Sequence, residues 1–179
     1  DEVLHGWQGL GYYARARNMH KAAQMLVNDF NGEFPATLDE VQILPGIGRS
    51  TAAAILSLSR NQTETILDGN VKRVLSRYYA INEWPGTAAI TKDLWLKAVA
   101  LTPKIRNDHY TQAMMDMGAT LCTRSKPNCA ECPLNQDCKA YELNLTKQIP
   151  VSKPKKEKPI RSAFFLMLKN ADQQLLLEQ

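Results

Sequence analysis

All four cysteines of the chain, Cys122, Cys129, Cys132 and Cys138, fall within one 17-residue stretch. A disulfide framework normally spreads its bridges over a small secreted domain, so thiols gathered in one short loop point to a shared metal centre in a reducing compartment. Their spacing is x6, x2 and x5, which departs from the two short Cys pairs of structural zinc sites. On donor chemistry alone, four thiolates suit zinc or an iron–sulfur cluster, and four buried free thiols are the bland alternative. His5, His20 and His109 show no ligand spacing and are left outside the metal site.

With 179 residues, 44% of them hydrophobic, the chain can bury one sizeable core and begin a second. Apolar residues recur at helical spacing in four places: Met19–Phe30, Val71–Tyr78, Leu94–Val99 and Tyr110–Leu121. Residues 1–145 therefore read as one all-α core. No run of 18 apolar residues occurs, so no membrane-spanning helix is expected and a cytoplasmic, nucleoid-associated location fits. The chain opens on Asp1 inside a helical pattern, and a natural start is expected to lie further upstream.

The formal net charge of +4 is misleading as a sign of nucleic acid. Residues 151–161 alone hold +4 and residues 162–179 hold −1, which leaves +1 for residues 1–150. Any electrostatic footprint must come from local clustering. Pro150, Pro154 and Pro159 among lysines mark residues 146–161 as a solvated linker. Residues 162–179 carry two short apolar runs around Asn170-Ala171-Asp172, the pattern of a first β-hairpin of a further domain, too small to be stable alone.

Thr37-Leu38-Asp39-Glu40 has the form of a capping box that starts a short helix to about Leu44. Leu44-Pro45-Gly46-Ile47-Gly48 then ends that helix in a tight hairpin, and a second helix follows from Arg49 to about Ser59. Unpaired N–H groups at such a helix start attract a phosphate without reading sequence. An ordinary helical corner with a glycine stop accounts equally for Pro-Gly-x-Gly taken alone. Further on, Asp68 precedes the stripe that begins at Val71, which sets its carboxylate at the positive end of a helix. It reads as a simple N-cap, or as a fixed negative charge facing a cationic reaction centre.

Two segments taken together resemble the helix-hairpin-helix DNA glycosylase superfamily: Leu44-Pro45-Gly46-Ile47-Gly48-Arg49, and Ile66-Leu67-Asp68-Gly69-Asn70-Val71-Lys72-Arg73-Val74. Within it, Gly9-Leu10-Gly11-Tyr12-Tyr13-Ala14-Arg15-Ala16-Arg17-Asn18 is similar to the MutY branch of adenine glycosylases. The resemblance implies removal of adenine opposite 8-oxoguanine or guanine in double-stranded DNA by a monomer. Asp68 then stabilises or traps the sugar cation and Asn70 supports it. Bifunctional relatives similar to endonuclease III place a lysine where this chain has Ser50, so strand cleavage by an amine is not expected. The cysteine spacing matches the [4Fe–4S] loop of this branch, and the cluster is expected to be structural, being remote in sequence from Asp68.

The same resemblance gives Gly46, Gly48, Arg49 and Lys72 to the DNA-binding surface, with Arg124 and Lys126 of the cysteine loop meeting phosphates. Tyr12 is the expected wedge beside the oxidised base, with Gln8 and Leu10 as further candidates and Tyr13 expected in the core. The general acid glutamate of the branch belongs to a helix upstream of Asp1, so this stretch by itself is expected to bind DNA and excise poorly. The tail resembles the opening strands of a Nudix-like domain that recognises 8-oxoguanine. Two rivals remain: a bifunctional pyrimidine glycosylase and lyase, and a non-catalytic DNA-binding module with a structural metal.

Overall fold

The computed structural model describes residues 2–154 together with Ser162, Ala163, Met167 and Lys169. The end of the expected linker and nearly all of the expected hairpin lie outside the described residues. Among those described, helices dominate and no strand forms, in keeping with an all-α core. In order they are α1 (Glu2–Gly6), α2 (Tyr13–Asp29), α3 (Leu38–Ile43), α4 (Arg49–Arg60), α5 (Gly69–Tyr78), α6 (Ala88–Leu101) and α7 (Asn107–Asp116). A π turn, Met117–Leu121, continues α7 to the edge of the cysteine loop, and α8 (Lys139–Glu142) follows that loop.

Helix α4 sits between two apolar clusters. Its Ala52 and Leu56 pack with Val41 of α3, while Ala53 joins Leu67, Val71, Leu75, Leu94 and Met114 from α5, α6, α7 and the segment before α5. The alanines at 52 and 53 let both neighbours come close, since the distance between helices is set by the side chains at the contact. Fully burying Leu56 adds roughly 1.5–3 kcal/mol. The capping box is formed: Thr37 Oγ1 accepts from the Glu40 N–H at 3.4 Å and the Glu40 carboxylate accepts from the Thr37 N–H at 3.2 Å. The Thr37 hydroxyl and then its backbone N–H hold the Glu40 carboxyl below its ordinary value, so the box weakens as pH falls through the carboxylate range.

Two sequence expectations are corrected by packing. The stripe on α2 is not a core face, because Met19 and Val27 are 53% and 68% exposed and Ala16 alone is buried on that helix. Met19, Ala22, Ala23 and Leu26 instead line an open groove against Leu44–Ile47 and Ile55. The stripe from Tyr110 to Leu121 is likewise not one regular helix, since the π turn inserts before its end.

The extended segment leading to α5 is pinned by one buried amide. Asn107, at the start of α7, places Nδ2 2.8 Å from Ser57 Oγ, 2.8 Å from the Gln62 carbonyl and 2.9 Å from the Glu64 carbonyl. Replacing it, Asn107→Ala, strands buried acceptors and should lower stability by about 3 kcal/mol in a denaturant titration.

Candidate functional site

The hairpin between α3 and α4 turns on Pro45 and Gly46, with the Ile47 N–H donating to the Leu44 carbonyl at 3.1 Å. Gly46 takes a φ of 81°, and a Cβ there would meet the Asn18 side chain at 2.6 Å, so both backbone angle and space demand glycine. Gly48 differs: its φ is −89° and a Cβ would touch nothing. The fold therefore does not need glycine at 48. As N-cap of α4 it offers no side-chain acceptor, which leaves the first-turn N–H groups facing outward with the positive end of a twelve-residue helix behind them. Arg49, the first residue of α4, stacks its guanidinium 4.1 Å from the Trp95 ring centroid.

From this same first turn, Ser50 Oγ accepts a hydrogen bond from the Leu67 N–H at 2.9 Å. The residue before Asp68 is thus tied to the hairpin helix. Asp68 is the N-cap of α5, its Oδ1 accepting from the Val71 N–H at 2.8 Å, so the capping geometry is real and also fixes the carboxylate. Oδ2 accepts no hydrogen bond from the described residues. Ser50 acts here by position, with its oxygen already engaged, and Lys72 lies half-buried on the next turn of α5.

Asn70 points away from Asp68, toward the cysteine loop. Its Oδ1 accepts from Arg73 Nη2 at 2.9 Å, and Arg73 also donates to the Gly118 carbonyl and, through Nε at 2.7 Å, to the Cys122 carbonyl. Gly118 of the π turn is buried against this group, where a Cβ would stand 2.6 Å from Asn70 Cβ. The loop, remote from Asp68 in sequence, is therefore joined to its helix by Arg73.

One turn further, Arg77 is 2% exposed and has no carboxylate partner among the described residues. It donates to the carbonyls of Ile149, Thr123 and Arg124 at 2.7, 2.7 and 3.0 Å, and to Cys122 Sγ at 3.3 Å. A buried guanidinium calls for a nearby negative charge. The four cysteines line one small cavity beside it. Burial first, then the neighbouring Cys122 and Cys138, pushes the Cys129 thiol up, while Arg77 pulls it down. Among the described residues no three His, Cys, Asp or Glu converge on a single metal ion. Four cysteines lining one cavity beside a buried cation suit an anionic cluster that they would hold as thiolates.

Tyr12 takes a left-handed backbone, φ 48° and ψ 48°, between the α2 start and a turn in which Gly9 and Gly11 also have positive φ. That conformation is strained for a bulky residue, and it leaves the Tyr12 ring 82% exposed beside exposed Leu10 and Gln8. Tyr13 was expected in the core, but it is 43% exposed and lines an open cavity with Glu2, Leu4, His5 and Gln8 instead. Arg124 and Lys126 are exposed in the cysteine loop, their carbonyls receiving Arg77 and Thr123. Sequence reasoning missed Arg73, Arg77 and Gly118. Two arginines four residues apart on one helix, Arg73 and Arg77, were the available signal.

Residues 1–98 match the HhH-GPD superfamily of base excision DNA repair proteins, and residues 122–138 match the iron–sulfur binding domain of endonuclease III. The cofactor of the cysteine loop is accordingly a [4Fe–4S] cluster. The chain is 43% identical over 179 residues to an adenine DNA glycosylase of Buchnera aphidicola subsp. Baizongia pistaciae, covering all of this chain and 50% of that protein. To the human adenine DNA glycosylase it is 40% identical over 143 residues, covering 79% of this chain and 26% of that one. It spans about half the length of the bacterial relatives. Among solved structures, a thermostable thymine-DNA glycosylase superposes with a TM-score of 0.70 at 28% identity, covering 79% of this chain and 65% of that one. A non-covalent endonuclease III–DNA complex superposes at 0.59 and 29%, covering 76% and 62%.

The substitution Gly118→Ala should force α5 from the π turn and disturb Asn70 and Arg73, costing roughly 1–3 kcal/mol in a thermal or denaturant melt. Iron content measured on the same sample should fall as the loop loosens.

Proposed function

The chain belongs to the HhH-GPD superfamily of base excision DNA repair proteins, and on that premise we propose that it forms much of the DNA-binding and catalytic core of a monofunctional adenine DNA glycosylase. The observation that carries this reading is the tie from Ser50 to the residue before Asp68, which fixes a carboxylate at the base of a phosphate-attracting hairpin. The relatives' names point to adenine as the base. The mispaired partner we assign is 8-oxoguanine or guanine.

In this reading, the first-turn N–H groups of α4 and the glycine at 48 receive a backbone phosphate, which sets the register of the duplex without reading it. Arg124 and Lys126 add phosphate contacts. Extruding a base costs a few kcal/mol and leaves a gap, and the strained, outward Tyr12 fills it, with Leu10 and Gln8 beside it. As the N-glycosidic bond breaks, positive charge grows on the sugar, and the Asp68 carboxylate faces it from a fixed position. Asn70 and Arg73 hold the first turn of α5 against the cysteine loop, so the carboxylate does not drift. When bound, the cluster supplies a rigid anionic anchor for that loop. Ser50 offers no amine, so no imine to the sugar forms and the strand stays intact.

The proton delivered to adenine comes, in this proposal, from a glutamate upstream of Asp1, as the resemblance implies. The test is single-turnover adenine release from an A:8-oxoguanine duplex. This chain alone should release little. The chain extended at its N-terminus with the matching segment of the Buchnera relative should release adenine, and Asp68→Asn in that protein should slow it at least about a hundredfold, near 3 kcal/mol. Equal rates for the two extended forms would sink the role of Asp68. No release from the extended form, with DNA still bound, favours a non-catalytic binding module. Borohydride should trap no covalent adduct, and a trapped adduct would favour the lyase reading.

A further inference from the structure

At the start of α5, next in sequence to Asp68, lies an open groove of about 450 Å³ lined by Gly69, Arg73, Trp84, Arg124, Lys147 and Lys153. Three of its cations, Arg124, Lys147 and Lys153, have exposed side chains, and none is ion-paired among the described residues. Lys153 lies 5.6 Å from the Trp84 ring centroid. Trp84 is itself held by sequence: any side chain at Gly86 would overlap its indole. Residues 1–150 carry a net charge of only +1. Gathering these cations in one concavity creates a local positive field.

Gly69 supplies an independent observation. It opens α5, its φ is not positive, and a Cβ added there would meet nothing within 4 Å. A side chain would fit there, so the fold itself does not call for glycine at 69. What a missing side chain at 69 does provide is close access for a ligand from outside, at the point where the groove meets Asp68.

We propose that this groove is a second phosphate-binding subsite, which takes the DNA backbone flanking the reacting nucleotide. The inference rests on the reading of DNA as partner, and it adds Lys147, Lys153 and Trp84 to the interface. A polyanionic strand suits the site because its four cations come from three separate segments, α5, the cysteine loop and the chain after it, and line one open trough. Trp84 forms an apolar wall for the sugar edge. The strand leaves Asp68 past Gly69 and is clamped by Arg124 on one bank and the two lysines on the other.

The test is fluorescence anisotropy of a labelled duplex across a salt series. It compares the unaltered protein, a groove variant (Lys147→Glu with Lys153→Glu) and a control variant with two exposed lysines reversed elsewhere (Lys92→Glu with Lys104→Glu). Each is first checked for an unchanged melt. The groove variant should lose at least about tenfold in affinity, and its slope of log affinity against log salt should be shallower by about two units, near 0.9 per lost phosphate contact. A groove variant that binds as tightly as the control, with the same slope, overturns the proposal while leaving the assignment of DNA as partner intact. Failure of the unaltered protein to bind duplex at all overturns that assignment, and the groove with it.

Discussion

The contact on which the rest of this structure depends is the pair of arginines on α5. Arg73 and Arg77 lie one helical turn apart and reach the same loop, the first through the Cys122 carbonyl and the second through the carbonyls of Thr123 and Arg124 and the Cys122 sulfur. Arg77 also takes the Ile149 carbonyl, so the chain beyond the cysteines is fastened to the same helix. A guanidinium can satisfy this many acceptors in one plane, which a lysine cannot. Its burial is costly without a counter-charge, which the four cysteines would provide as thiolates when they hold the cluster.

From that anchor the site is assembled outward. α5 is clamped at its middle by the cysteine loop and at its start by Asp68, which caps the helix and is in turn steadied by the Ser50 bond to Leu67. The carboxylate therefore stands where three constraints meet: a helix N-terminus, the hairpin helix α4, and the Asn70–Arg73 bridge. None of the three is strong alone. Together they leave one oxygen of the half-buried Asp68 without a partner among the described residues. The buried Asn107 amide serves the same end from below, because it fixes the segment that carries Leu67 toward Asp68.

Glycines mark where the chain must come close to something, and their reasons separate. At 46 and 118 the neighbour is the protein itself, the side chains of Asn18 and Asn70. At 48 and 69 nothing in the protein lies where a side chain would go and the backbone angles are ordinary, so the space faces outward. The exposed Tyr12, in a backbone conformation that resists a bulky side chain, belongs with these outward positions. The strain at Tyr12 and the missing side chains at 48 and 69 all fall at exposed positions, where a large ligand can reach a rigid scaffold.

Much of this was legible in the sequence because it depends on neighbours along the chain. Helical periodicity gave an all-α core, Thr37 and Glu40 gave a capping box, Pro45-Gly46 gave the hairpin, and four cysteines in one loop gave a metal centre. Local pattern could not say which stripe would be covered: Met19 and Val27 repeat as a core face does, yet no element among those described packs over them. Nor could it show that the cysteine loop touches the helix of Asp68, since Arg73 and Cys122 are 49 residues apart and their bond exists only once α7 and the π turn bring the chain back. Sequence by itself determined which groups could cap, turn, ligate and carry charge. Tertiary structure alone decided which of them share a site, because that depends on distances closed by packing between segments that no local rule connects.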